Sequence, residues 1–220
     1  MTDLRFLRQQ DVIDTDKLAS LQISLIGLGS IGSVTGLYLA KMGVCNLTAF
    51  DADIVDIHNI SNQAYGLADV GLSKTEALTD LIEFQIGVLP NTNTMQYDGR
   101  ALSEVVISAV DSMKSRETIW KSVREKPEVR LYLDARMGLE TLMVWTVRPQ
   151  IREDRVAYSQ SLVSDDQAHL DPCTARTICY SPLMAASILC SHIKRYINDE
   201  TIPRRVILDL ATHTMMVDGI

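Results

Sequence analysis

A short apolar run, Ile23 to Ile26, leads straight into Gly27-Leu28-Gly29-Ser30-Ile31-Gly32-Ser33. An acid, Asp51, ends the next apolar run 24 residues after Gly27. This succession of strand, glycine turn, helix, strand and acid constrains the chain more than any other feature. Gly27 permits a tight turn, Gly29 lets the backbone approach a phosphate, and Gly32 lets the helix lie close to the strand. The N–H groups of Ser30 and Ile31, with the helix dipole, then favour an anion. Asp51 is placed to accept from ribose hydroxyls. A glycine-rich turn without a ligand is the bland alternative, and the spaced acid argues against it.

The pattern continues as alternating strands and helices. Residues 4–20 read as a helical lead-in, and Ser33 to Met42 as a helix ended by Gly43. Leu47 to Phe50 reads as the strand before Asp51, and residues 73–86 as a helix capped by Ser73. Thr94 to Tyr97, Val105 to Val110 and Leu131 to Leu133 read as strands, with a helix over 113–124. After residue 134 the character changes. Glu140 to Val147, Arg155 to Gln160, Val206 to Leu210 and Thr214 to Val217 read as strands, with a long apolar helix from Ser181 to Ile197. The predicted fold is α/β, a Rossmann-like doubly wound, mostly parallel sheet extended by antiparallel strands in the C-terminal part. Residues 1–220 read as one domain: a lead-in (1–20), a nucleotide-binding half (21–135) and a second half (136–220) with a polar loop at 161–178.

Composition narrows the function. A net charge of −7 argues against general affinity for a nucleic-acid backbone, which needs clustered Lys and Arg. No apolar leader and no apolar run of about 18 residues is present, so a cytoplasmic protein off the membrane is expected. Cys45, Cys173, Cys179 and Cys190 form no C-x-x-C pair, so no zinc is expected.

Polar residues follow the glycine loop in an order that suits a triphosphate. Asp53, Asn59, Asn62 and Gln63 lie just beyond Asp51. Amide side chains both donate and accept, and so suit phosphate oxygens, although Asn and Asp are also common in solvated loops. Lys74 opens a helix, where a cation opposes the dipole. A phosphate between the two would resolve the conflict; an exposed surface lysine is the alternative. Asp111 ends a strand on the edge where such sheets bind ligands, so it is a candidate magnesium ligand or else a helix N-cap. Arg116 reads as a supporting cation or a helix-surface charge. Asp134 and Arg136 end the next strand, and support one another or approach a substrate. Cys173 follows Pro172 with Arg176 near, a setting for a nucleophilic thiol or an inert one; Cys179 is expected to be buried. The histidines have no spacing that suggests a metal or a triad, and His192 reads as a satisfied core or boundary residue.

In their order these residues resemble the ThiF/MoeB family, the ubiquitin-activating-enzyme-like adenylyltransferases. Arg5-Phe6-Leu7-Arg8-Gln9 is similar to the family's N-terminal element, and Gly27 to Ser33 to its glycine loop. Asp51-Ala52-Asp53-Ile54-Val55 with Asn59-Ile60 and Gln63 resembles its Asp-x-Asp-x-Val…Asn-Leu-x-Arg-Gln run, with Asn62 where the family usually carries Arg. Gly71-Leu72-Ser73-Lys74, Val110-Asp111 with Arg116, and Cys179-Tyr180-Ser181-Pro182 resemble its later elements. The resemblance implies ATP- and Mg²⁺-dependent adenylation of the C-terminal glycine carboxylate of a ubiquitin-like or sulfur-carrier protein, with pyrophosphate released. It implies that Asp51 holds the ribose, Asp111 the magnesium, Lys74 the triphosphate, and Asn59 and Gln63 the phosphates. It also implies a homodimer in which Arg8 acts on the neighbouring subunit's nucleotide, and it places Cys173 near a thioester-forming position of some members. The paired zinc motifs of many members are missing, and at this length no appended ubiquitin-like or rhodanese domain is expected.

Two other readings stand beside this one. A catalytically weak or silent binding subunit is favoured by Asn62 and opposed by Lys74, Asp111 and Arg8 together. An NAD-dependent oxidoreductase would use the same glycine loop, but no Tyr with a Lys four residues on follows the cofactor half. ATP-dependent modification of a nucleoside or a small carboxylate shares the adenylation step.

Overall fold

A computed structural model describes residues 3–163 and 178–219. Its frame is an eight-stranded sheet in the order β3-β2-β1-β4-β5-β6-β7-β8. The strands are β1 Gln22–Ile26, β2 Asn46–Phe50, β3 Asn91–Asn93, β4 Val105–Ser108, β5 Leu131–Gly138, β6 Thr141–Val147, β7 Arg205–Asp209 and β8 Thr214–Asp218. β1 to β5 run parallel, and β6 to β8 continue the sheet antiparallel. The strand order therefore reverses between β1 and β4, and a crevice opens there at their C-terminal ends.

Helices cover both faces. They are α1 Thr15–Ser20, α2 Ser30–Met42, α3 Lys74–Ile86, α4 Met113–Glu125, α5 Arg152–Gln160 and α6 Tyr180–Ile197. Central strands read as unbroken apolar runs because they are buried on both faces. Alternate residues serve two cores. Ile23, Leu25, Val105, Ile107, Leu131 and Leu133 point to the face of α2, α3 and α6. Ile26, Val106, Tyr132 and Trp145 point to the other face, where Trp120 of α4 and Tyr158 of α5 complete an aromatic cluster. α6 lies along α2, so α2 is buried between helix and sheet. Gly36 lets α2 approach β1 and α3 closely, since a Cβ there would meet Leu78 and Leu25 at 3.0 and 3.2 Å.

The structure corrects several readings. Arg155 to Gln160 is not a strand but the end of helix α5. Its buried face consists of Asp154 and Tyr158, four residues apart, and because one of them is an acid the apolar period is hidden. Asp154 is held by Arg148 and Arg204 at 2.7 and 3.1 Å. The third strand is the polar Asn91–Asn93 rather than Thr94 to Tyr97; it pairs its backbone along β2 and carries no apolar pattern. The lead-in is two pieces, a 3-10 turn Leu4–Gln9 capped by Asp3 and α1 capped by Asp14. Cys179 is exposed, because it stands at the solvent end of α6 as its N-cap.

His192 of α6 is buried, with Nδ1 2.9 Å from Thr146 Oγ1. Burial, aided by Arg195, pushes its pKa down to about 4. The unfolded chain takes up a proton near pH 6.5, so this residue favours the fold above that pH. That contribution is lost as pH falls from about 6.5 to about 4, by about 3 kcal/mol in total. Urea unfolding followed between those pH values checks this, and His192→Gln is expected to flatten the slope.

Candidate functional site

The C-terminal ends of β1, β2 and β4 bring the glycine loop, Asp51 and Asp111 to one edge. Gly27 has φ +89°, and a Cβ there would sit 2.6 Å from the carbonyl oxygen of Ala109. A Cβ on Gly32 would lie 1.8 Å from the Gly27 oxygen, so the turn closes only over glycine at both places. Above Gly29 there is open space, with nothing within 4 Å of a Cβ built there. Gly29 is the N-cap of α2 and offers no side chain to its first N–H groups, among them those of Ser30 and Ile31. The helix therefore presents orphan donors beside a vacant approach, the setting in which a phosphate is bound. Gly32→Ala is expected to destabilise the fold by about 3 kcal/mol, read as a lower urea midpoint.

Asp51 ties this loop to the next strand. Its Oδ2 accepts from the Leu28 N–H at 2.6 Å, and its Oδ1 from the Asp53 N–H at 2.8 Å. Burial raises its pKa above the ordinary carboxylate value, against the pull of those two donors and of Lys74. A carboxylate has about four acceptor positions, so about two remain open to a donor.

Lys74 is only 7% exposed, although it opens α3. Its Nζ lies 2.6 Å from Asp53 Oδ2 and 4.0 Å from Asp51 Oδ1. Two acids thus balance a cation that the helix dipole opposes. Asp53 is the loose partner, with a side chain 69% exposed. The segment between them folds back on itself: Val55 and Leu72 pair their backbones at 2.8 Å, and the Lys74 N–H donates to Asp53 O at 3.0 Å. That return brings Lys74 to the acids from 21 residues away.

The amide-bearing residues divide. Asn59 Oδ1 accepts from the Asp56 N–H at 2.9 Å and closes a capping box, so its amide N–H₂ is what remains for a ligand. Asn62 is half-buried beside it. Gln63 Oε1 is buried with no hydrogen-bond partner among the described residues, a polar atom still to be satisfied.

Asp111 is exposed, and its carboxylate meets no partner among the described residues. The capping role belongs to its neighbour, since Ser112 Oγ accepts from the Ser115 N–H at 3.1 Å. Arg116 is neither a surface charge nor a ligand cation. It is buried, donates to the Val110 and Ala135 carbonyls, and pairs with Asp134 at 3.1 Å. Asp134, 0% exposed, also takes Arg136 at 2.8 Å and the Tyr158 hydroxyl at 3.0 Å. Asp134 and Arg136 therefore support one another, and the group fixes the backbone next to Asp111.

Arg8 lies elsewhere. The turn that carries it is held to the far end of α2, where Gln9 donates to the Lys41 carbonyl at 2.9 Å. The 13 residues of α2 put it about 20 Å from the glycine loop of its own chain. Cys173 lies outside the described residues. Burial pushes the Cys190 thiol up to about 12, which makes it inert. Tyr65, which sequence reasoning passed over, is buried among these residues with its hydroxyl 2.9 Å from the Leu28 oxygen. Its signal in the sequence was slight, an aromatic residue in a mixed run between Gln63 and Gly66.

The magnesium expected from the sequence can be tested against these residues. Mg²⁺ commonly takes one or two carboxylates and completes its shell with water and substrate phosphates. Asp111, relieved of capping by Ser112 and unpaired among the described residues beside the glycine loop, fits that demand.

Comparisons with known proteins agree with the fold. Over 139 residues the chain is 27% identical to "Ubiquitin-like modifier-activating enzyme 5" of Drosophila persimilis, covering 54% of this chain and 36% of that one. Over 67 residues it is 40% identical to "Probable adenylyltransferase/sulfurtransferase MoeZ" of Mycobacterium tuberculosis (strain ATCC 25618 / H37Rv), covering 30% and 17%. The chain thus spans well under two thirds of these relatives. Among solved structures, E. coli MccB with ATP superposes with a TM-score of 0.79 at 14% identity, over 99% of this chain and 72% of that one. PaaA superposes with a TM-score of 0.74 at 18% identity, over 94% and 66%. The ThiF family model matches residues 4–216, so the chain belongs to the ThiF family.

Proposed function

We propose that the chain catalyses ATP- and Mg²⁺-dependent adenylation of a C-terminal glycine carboxylate on a ubiquitin-like or sulfur-carrier protein. One observation carries the reading: a buried lysine, balanced by a loose exposed acid, stands on the same sheet edge as an open glycine loop and an unengaged aspartate. A dinucleotide site has no evident need for the lysine or for the second acid.

The residues divide the work. Asp51 accepts from the ribose. The N–H groups of Ser30 and Ile31, above Gly29, hold phosphate oxygens. Lys74 leaves Asp53 when a triphosphate arrives and meets its charge, aided by Asn59, Asn62 and Gln63. Asp111 would hold Mg²⁺, which, when bound, withdraws charge from the phosphate oxygens. The incoming carboxylate oxygen bonds to the α-phosphorus, the bond to the β-phosphate oxygen breaks, and its electron pair leaves on pyrophosphate. Fixed donors and cations aimed at that charge need no rearrangement as it develops. Arg8, too far from its own loop, serves the neighbouring subunit in a homodimer, and Cys173 is a candidate thioester position.

The carrier would approach over the antiparallel half. There the β5–β6 turn and the start of α6 expose Leu139, Tyr180, Leu183 and Met184 on the same edge as the nucleotide site. Sequences matching this chain bear names of activating enzymes and adenylyltransferases, which supports the reaction class.

A thermal-shift titration tests the nucleotide. Mg²⁺ and ATP are expected to raise the melting temperature, while NAD leaves it unchanged; the reverse would favour an oxidoreductase.

A further inference from the structure

Tyr65 lies between the glycine loop and the start of α3, and no role in the reaction described above falls to it. Its side chain is buried, at 4% exposure. The hydroxyl is 2.9 Å from the carbonyl oxygen of Leu28 and 3.2 Å from that of Lys74. Burial, with the charges of Asp51 and Asp69 nearby, pushes its ionisation well above the ordinary tyrosine value, so it is a standing neutral donor. Leu28 is fully buried, so its carbonyl has no water to turn to. The same residue gives its N–H to Asp51. One hydroxyl proton shared between two carbonyls thus joins the phosphate-facing loop to the residue that carries the cation.

We propose that Tyr65 is a positioning residue for the nucleotide: its hydroxyl sets the separation between the glycine loop and Lys74. The inference rests on the ATP reading above. It follows that the hydroxyl matters where Lys74 acts, at the outer phosphates, and little for the sugar and first phosphate. Two rigid pieces, the N-termini of α2 and α3, meet through it, and a slip between them would leave the cation misplaced although every ligand-contacting residue is intact.

Tyr65→Phe removes the hydroxyl and keeps the buried ring. Isothermal titration with a non-hydrolysable ATP analogue and Mg²⁺, and separately with AMP, reads the effect without turnover. The analogue is expected to bind about tenfold more weakly and AMP less than about twofold. In a Lys74→Met background the Tyr65→Phe change is expected to add nothing, since neighbours that act through one another are not additive. Equal weakening of analogue and AMP, or a full tenfold loss in both backgrounds, would overturn the proposal and leave Tyr65 a packing residue. Wild-type protein that binds neither nucleotide would overturn the ATP reading, and this inference with it.

Discussion

Asp111→Ala is expected to lower ATP–pyrophosphate exchange by about a thousandfold while leaving the melting temperature within a degree or two of wild type. The two halves of this expectation come from the same geometry. Asp111 is exposed, unpaired among the described residues and relieved of capping by Ser112, so the fold does not use its carboxylate. A carboxylate that does nothing for the fold, yet follows β4 on the edge that holds the glycine loop, is free for a metal. Exchange rate and a thermal melt on the same sample check both parts. Full exchange in the variant would remove the magnesium assignment.

Asp134→Ala is expected to behave in the opposite way, costing about 3–5 kcal/mol of stability because one buried and one partly buried guanidinium lose their anion. Arg116 and Arg136 both point at this carboxylate, and Tyr158 donates to it. Burial alone would raise its pKa, but the charges of Arg116 and Arg136 and the donated hydrogen bonds outweigh that and hold it below the usual carboxylate value. A carboxyl depressed in the fold contributes stability above its unfolded value, near pH 4. That contribution is lost as pH falls through the folded value. Acid unfolding that begins below about pH 4 in wild type, and a variant whose stability responds less steeply there, with Asp154 still contributing, is the expected result. Urea denaturation at several pH values measures it.

The two substitutions separate two kinds of acid that the sequence did not distinguish fully: Asp111 follows the end of β4, whereas Asp134, expected to end its strand, lies inside β5, which runs on to Gly138. Asp111 and Asp134 both follow apolar runs. Their difference is set by which cations the topology brings, and Arg116 reaches Asp134 from 18 residues away. The glycine loop was legible because Gly27 and Gly32 answer local steric demands, while Gly29 leaves an open approach. Lys74 was legible because it contradicts the helix dipole, though the structure answers that conflict with Asp53 and Asp51 before any phosphate arrives. Tyr65 and α5 were not legible for one shared reason. In each, the buried face is built from polar or mixed residues, here a tyrosine hydroxyl and the Asp154–Tyr158 pair, so hydrophobic periodicity carried no signal. Cys179 was read as buried from the apolar helix it precedes, but a residue at a helix entrance need not share that helix's burial.

Asn62 bears on the rate. Where the resemblance would place an arginine, this chain has an amide, and the proposed account assigns the positive charge at the phosphates to Lys74 and the N-terminus of α2. Arg8 of a neighbouring subunit is the natural complement in that account.

The most direct test is ATP–pyrophosphate exchange by the intact protein with ATP, Mg²⁺ and small candidate carriers ending in glycine, each paired with a version lacking that residue. The account predicts exchange that requires the terminal glycine and disappears with Asp111→Ala. ATP binding without exchange, across carriers that a known activating enzyme does adenylate, would contradict it and identify a binding subunit instead.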